Sequence, residues 1–238
     1  MKRKINLSPT IIMVILLFAM RIARGGFSNF ADFIMDRLLM LPAIVVGLSL
    51  HEFGHAYASD KLGDPTPRQQ GRVTINPISH VDPIGFLALI FAGFGWGCPA
   101  SIDPRYYKNR RRDEAIVAVA GVTMNLIIVV IATMVTFIFV RTAGSFLGTS
   151  LGEIVFEILL YFITINSMLM VFNLLPVPPL DGFNLVTKIF KLDKYEWWYL
   201  LYRSGPMILL FLVLFNVVGI IISPITKIIT GICFSIIQ

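Results

Sequence analysis

Two histidines and a glutamate, in the order His51-Glu52-Phe53-Gly54-His55, end a strongly apolar run that begins at Leu38. On a helix, residues i and i+4 share a face, so both imidazoles can reach one metal ion. Glu52 sits beside them and can take a proton from a water that the metal activates. This is the pattern of a zinc hydrolase. Apolar surroundings penalise charge through lost solvation, and ionisable groups at membrane depth are rare unless they act there. The plainer alternative is a helix end that reaches the aqueous interface, with three solvated side chains.

A catalytic zinc ion takes three protein ligands and keeps one position open. Asp181 is a candidate for the third. It lies in "NLLPVPPLDGFNL", directly after a long apolar segment. Pro176, Pro178 and Pro179 forbid regular helix there and impose an extended turn. Asp181 then opens a new helix over 183–191, where backbone N–H groups favour an ionised carboxylate. Ligation and simple helix capping both suit it. The third and last histidine, His80 in "NPISHVDPIG", is the other candidate ligand. It also suits a pocket wall, or a structural bond to Asn76 or Asp82.

These side chains need elements to hold them. The chain has 238 residues, is 56% hydrophobic and only 14% charged, with a mean hydropathy of +0.79. Soluble domains are nearer a quarter charged, so the chain reads as an all-α, polytopic integral membrane protein. The net charge of +6 fits cytoplasmic loops better than nucleic-acid binding. Spans are expected near 8–23, 35–59, 113–140, 152–175 and 203–222, each roughly long enough for ~30 Å of hydrocarbon. Lys2, Arg3 and Lys4 predict a cytoplasmic N-terminus. The basic stretches Arg105–Arg112 and Lys188–Lys194 fall on the same side, and the loop near 141–153 outside. Residues 84–97, "IGFLALIFAGFGWG", are apolar but short, with basic segments on both sides. They read as a re-entrant dip, with a sixth span as the alternative. Residues 223–238, with Pro224 and Lys227, read as an interfacial helix. Nothing suggests a separate soluble domain, so residues 1–238 are read as one membrane domain with a catalytic core near 35–195. Cys98 and Cys233 have no metal-binding spacing and suit inert packing.

Together, His51–His55 and Asn173–Gly182, which fits N-x-x-P-x-P-x-L-D-G, resemble the site-2 protease family of intramembrane zinc metalloproteases. "GDPTPRQQGRVTINPISHVDPIG" is similar to the small prokaryotic members without a PDZ domain. The resemblance implies one zinc ion bound by His51, His55 and Asp181, Glu52 as general base, and a site near the cytoplasmic face of a prokaryotic cell membrane. Members often carry A-G-P-x-x-N between the two motifs. Here Ala120-Gly121-Val122-Thr123-Met124-Asn125 keeps the asparagine and replaces the proline. The resemblance implies an active-site role for Asn125, such as a hydrogen bond to a developing oxyanion; an interhelical packing bond is the alternative.

The expected reaction is zinc-assisted peptide hydrolysis within the bilayer, on a transmembrane protein whose helix must unwind locally to expose its peptide bonds. "GRVTINP" (71–77) alternates β-branched residues before a proline. It suits either an edge that an extended substrate joins or an ordinary hairpin. Val73, Asn76, His80 and Asn173 are therefore candidate substrate contacts. Two rival classes stand beside this reading. A divalent-cation transporter would also hold metal at membrane depth, but paired discontinuous helices from internal repeats are not visible. An inactive, membrane-protein-binding homologue would not need Glu52. Substrate identity and homo-oligomerisation are open at this stage.

Overall fold

The computed structural model describes residues 30–82, 85 and 97–238 of the chain. The span expected at 8–23 and the body of the 84–97 segment lie outside the described residues. Six helices organise the rest: α1 (Phe30–Lys61), α2 (Arg110–Thr142), α3 (Ser150–Asn173), α4 (Asp181–Phe190), α5 (Glu196–Leu214) and α6 (Val217–Ile237). All but α4 are long and apolar enough to cross a membrane.

The centre is a bundle of α1, α2 and α3, each packed on the other two, with α6 against α2 and α3. Small residues let the backbones approach, as helix contacts in lipid require. A Cβ on Gly54 would come within 2.8 Å of the Ala120 carbonyl oxygen. Two apolar clusters stack along the bundle. Val122, Met170, Val171, Leu175, Leu180, Leu209, Val218 and Ile222 pack at one end. Val129, Ala132, Ile163, Cys233 and Ile237 pack toward the other, which also explains the inert Cys233. The outward faces keep many exposed isoleucines and phenylalanines, as a lipid-facing surface does.

Three expectations are corrected. The span at 203–222 is not one helix. It breaks at Phe215–Asn216, where Asn216 takes a left-handed φ of 58°, a conformation asparagine tolerates better than most residues. The C-terminal stretch is not a short interfacial helix either; 223–238 belongs to the 21-residue α6. Pro224 and Lys227 look like breakers in sequence. A proline is tolerated in a spanning helix, and the exposed Lys227 can extend along its apolar stem. Finally, among the described residues 71–77 forms turns and no strand. A single antiparallel bridge, Val81 to Gly97, is the only β pairing there.

α5 stays at the end of the bundle where α4 sits. Trp198 Nε1 donates to Thr187 Oγ1 at 2.9 Å, and Gly205 lies against Pro178. α6 then runs the length of the bundle to the far end, where Arg141 donates to the carbonyl oxygen of Gln238 at 3.3 Å.

Candidate metal centre

α1 brings His51, Glu52 and His55 to the α4 end of the bundle. Both imidazoles turn toward α2 and are buried. His55 Nδ1 lies 2.7 Å from the carbonyl oxygen of Val117. That oxygen can only accept, so Nδ1 carries the proton and Nε2 keeps its lone pair. His51 Nδ1 lies 2.8 Å from Asn125 Oδ1 and is held the same way. Hydrogen bonds of this kind fix the tautomer of a metal-binding histidine.

The proline turn delivers the third group. After α3 the chain folds tightly through Val177 N–H to Leu175 O at 2.8 Å and Leu180 N–H to Val177 O at 2.9 Å, with a cis bond at Pro178–Pro179. Asp181 is the first residue of α4, and the cap position itself is Leu180, without a side-chain bond. Gly182 allows the turn to close, because a Cβ there would meet Leu174 O at 2.1 Å.

The two Nε2 atoms stand 3.1 Å apart, and Asp181 Oδ2 is 3.2 Å from each. Donors about 2.0–2.2 Å from one tetrahedral zinc ion would stand about 3.3–3.6 Å apart. The triangle is therefore one face of such a site, drawn in by a few tenths of an ångström. Asp181 Oδ2 is buried and makes no hydrogen bond. Three electron pairs face one point and repel each other unless a cation stands among them. Among the described residues, these are the ones grouped so as to hold a metal.

The triangle opens on a cavity of about 950 Å³, at the upper end of the range for ligand pockets. Glu52 lines it, with Oε2 accepting from the Ala100 backbone N–H at 3.1 Å. Its lining also includes Trp198 and Tyr202, whose rings stack 5.1 Å apart. Glu114 and Lys188, 2.5 Å apart, mark its charged rim.

Asn173 lines the cavity; its Nδ2 donates to Leu169 O at 3.0 Å. Val73, Asn76 and His80 are not among its lining residues. Asn76 caps a short turn by accepting from Ile78 N–H, and the wholly buried His80 bonds Thr74 O at 2.8 Å through Nε2. Asn125 is also wholly buried. Its Nδ2 donates to Gly47 O at 3.2 Å and to Asn166 Oδ1 at 3.0 Å, so both amide hydrogens are occupied. In this arrangement Asn125 holds His51, and no amide hydrogen is left for an oxyanion.

Sequence reading missed three features. Residues 98–103 pass over Glu52 because Asp64 ties them down: Asp64 Oδ2 accepts from the Asp103 N–H and from Ser59 Oγ, each at 2.8 Å. Gly121 faces both donor nitrogens at a distance that leaves no room for a side chain. Asn166 completes the polar contact behind His51. The buried aspartate and the intramembrane asparagine were visible as residue types, but nothing local named their partners.

A Bacillus subtilis (strain 168) protein carrying the name "Putative zinc metalloprotease YwhC" is 35% identical over 161 residues, which cover 64% of this chain and 73% of that protein. The chain belongs to the site-2 protease family. A Mycolicibacterium smegmatis relative named "Putative zinc metalloprotease Rip2" is 30% identical over 150 residues, and its Mycobacterium tuberculosis counterpart is 27% identical over 152. The chain spans about half the length of these Rip2 proteins, 55% in each case. No family model and no solved structure matches the chain. Membership agrees with the spanning helices, making this an integral membrane metalloprotease of prokaryotic type. The family's metal, zinc, fits the donor triangle.

Proposed function

We propose that the chain hydrolyses peptide bonds of transmembrane-helix substrates within the bilayer, as a single membrane domain with its active site toward the cytoplasm. The observation that carries this is the convergence of His51 Nε2, His55 Nε2 and Asp181 Oδ2 beside Glu52, with the histidines on a helix apolar enough to cross the membrane. Zinc held by these three residues supplies Lewis-acid chemistry, polarising a carbonyl and making water nucleophilic near neutral pH. Glu52 lies beside the triangle on the cavity side and has a free oxygen besides the one bonded to Ala100. It takes the proton from the attacking water and passes it to the leaving nitrogen. The Ala100 N–H keeps its carboxylate oriented meanwhile. The apolar part of the cavity wall accepts a locally unwound segment, and Asn173 offers that segment a polar contact.

The cytoplasmic placement is supported by charge. The site lies at the end of the bundle that carries Arg110, Arg111, Arg112 and Lys188, and lysine and arginine favour the cytoplasmic side. The test is co-expression with single-span membrane proteins, comparing the wild type with Glu52→Ala. Cleavage that maps within the substrate's span and disappears in Glu52→Ala supports the reading. Metal-dependent uptake of a divalent cation without any cleavage would favour a transporter instead.

A further inference from the structure

We infer that Asn166, on α3 and in contact with neither the donor triangle nor the cavity, is a positioning residue that sets the tautomer of His51 through Asn125. The inference rests on the metal reading above and deepens it. Its basis is the polarity of a chain of hydrogen bonds whose ends are fixed. Asn166 Nδ2 lies 3.0 Å from the carbonyl oxygen of Phe162, one turn back on α3. A carbonyl oxygen only accepts, so the amide of Asn166 must place nitrogen there and oxygen on its other side. That oxygen is 3.0 Å from Asn125 and demands a donor. The carbonyl oxygen of Gly47, 3.2 Å away on α1, demands the same group. Asn125 therefore presents its NH2 to two acceptors at once and turns Oδ1 toward His51. His51 Nδ1, at 2.8 Å, must then carry the proton, which leaves Nε2 bare toward the site.

Without Asn166 the orientation of Asn125 would rest on Gly47 alone. A flipped Asn125 amide would offer N–H to Nδ1, and the proton of a neutral His51 would move to Nε2, where it blocks metal binding. Both asparagines are wholly buried, so water cannot restore the lost acceptor without entering the bundle. The packing is tight for the same purpose: a Cβ on Gly47 would fall 2.6 Å from Asn166 Oδ1. His55 needs no such relay, because a backbone carbonyl holds it directly.

The experiment is zinc affinity, by chelator competition, on purified full-length wild type, Asn166→Ala, Asn125→Ala, the double variant and Asn166→Asp. Loss of the group behind a metal-binding histidine lowers affinity by about 10–100-fold. Asn166→Ala is expected to fall in that range, and to have no further effect once Asn125 is alanine. Asn166→Asp, which as a neutral acid keeps a donor toward Phe162 O and an acceptor toward Asn125, is expected to stay near the wild type. Unchanged affinity in Asn166→Ala overturns the inference, as does an equal loss with and without Asn125, which would mark a packing effect. If the alanine variant does not fold, a loss in Asn166→Asp as large as that in Asn125→Ala overturns it equally. A wild type that binds no zinc would instead overturn the metal reading itself.

Discussion

Gly121→Ala sets helix propensity against the metal site. In an exposed or neutral helix position the change is stabilising, by about 0.5–1 kcal/mol, because glycine loses more backbone freedom on folding. Gly121 is different. The new Cβ would lie 2.5 Å from His55 Nε2, 2.7 Å from His51 Cε1 and 2.8 Å from His51 Nε2. Ordinary contact is about 3.5 Å, so overlaps of roughly 0.7–1.0 Å must be relieved. The imidazoles cannot swing away freely, since Val117 O and Asn125 Oδ1 hold their other nitrogens. α2 cannot retreat easily, since the Ala120 carbonyl already packs on Gly54. Metal–ligand distances tolerate about 0.2 Å, several times less than the displacement required. The expected result is a loss of at least about 100-fold in zinc affinity, about 2.8 kcal/mol, with cleavage lost in parallel. Chelator competition on the purified variant measures it. Gly231→Ala, where a Cβ meets nothing within 4 Å, is the control and should leave zinc binding unchanged. Zinc affinity within threefold of the wild type in Gly121→Ala would refute the donor triangle as drawn.

Three further outcomes follow from the same geometry. Asp181→Asn should lose zinc and cleavage together, because a neutral amide is a poor ligand, whereas His80→Ala should keep zinc at wild-type stoichiometry; the reverse pattern would move the third ligand to His80. Glu52→Gln should retain zinc near one per chain and lose hydrolysis, and a collapse in metal content would mean that Glu52 is a ligand. Asp64→Ala should destabilise the protein by about 1.5–3 kcal/mol, since it removes the acceptor shared by the Ser59 hydroxyl and by the partly buried N–H groups of Thr66 and Asp103; a shift in thermal unfolding indistinguishable from zero would refute that role. Burial alone would raise the Asp64 pKa, but the donors from Thr66, Asp103 and Ser59 outweigh it and hold the carboxyl below its usual range. Its contribution is therefore full above the ordinary carboxylate pKa of about 4 and lost as pH falls through the lower folded value. Asp64→Ala should flatten the acid limb of the stability curve accordingly.

The histidine pair and Glu52 were legible because their geometry is local: a five-residue spacing on a helix fixes which side chains share a face. Asp181 was legible as an irregular, proline-framed carboxylate, and the resemblance separated ligand from cap. α1, α2 and α3 were legible from length and apolarity, within a few residues at most ends. The break at Asn216 was not, since one asparagine in an apolar run is also what a continuous span carries. Ala100 and Asp64 were not, because a backbone N–H has no side-chain signature and the bond that places it joins segments 39 residues apart.

The polar residues inside the bundle show where sequence reasoning has to stop. Asn125 read from its sequence context is an amide near a reaction centre, and donation to an oxyanion is the natural use for it. Its neighbours decide otherwise. An amide has two donors and two acceptor sites, and Gly47 O and Asn166 Oδ1 between them use both hydrogens. What remains is an acceptor, and an acceptor suits an imidazole N–H. The role of Asn125 is thus fixed by two groups on two other helices, one of them the backbone carbonyl of a glycine whose missing side chain leaves room for Asn166. Residue type and spacing mark such a position as worth a partner; the direction of the hydrogen bonds, and with it the chemistry, comes from packing three helices together.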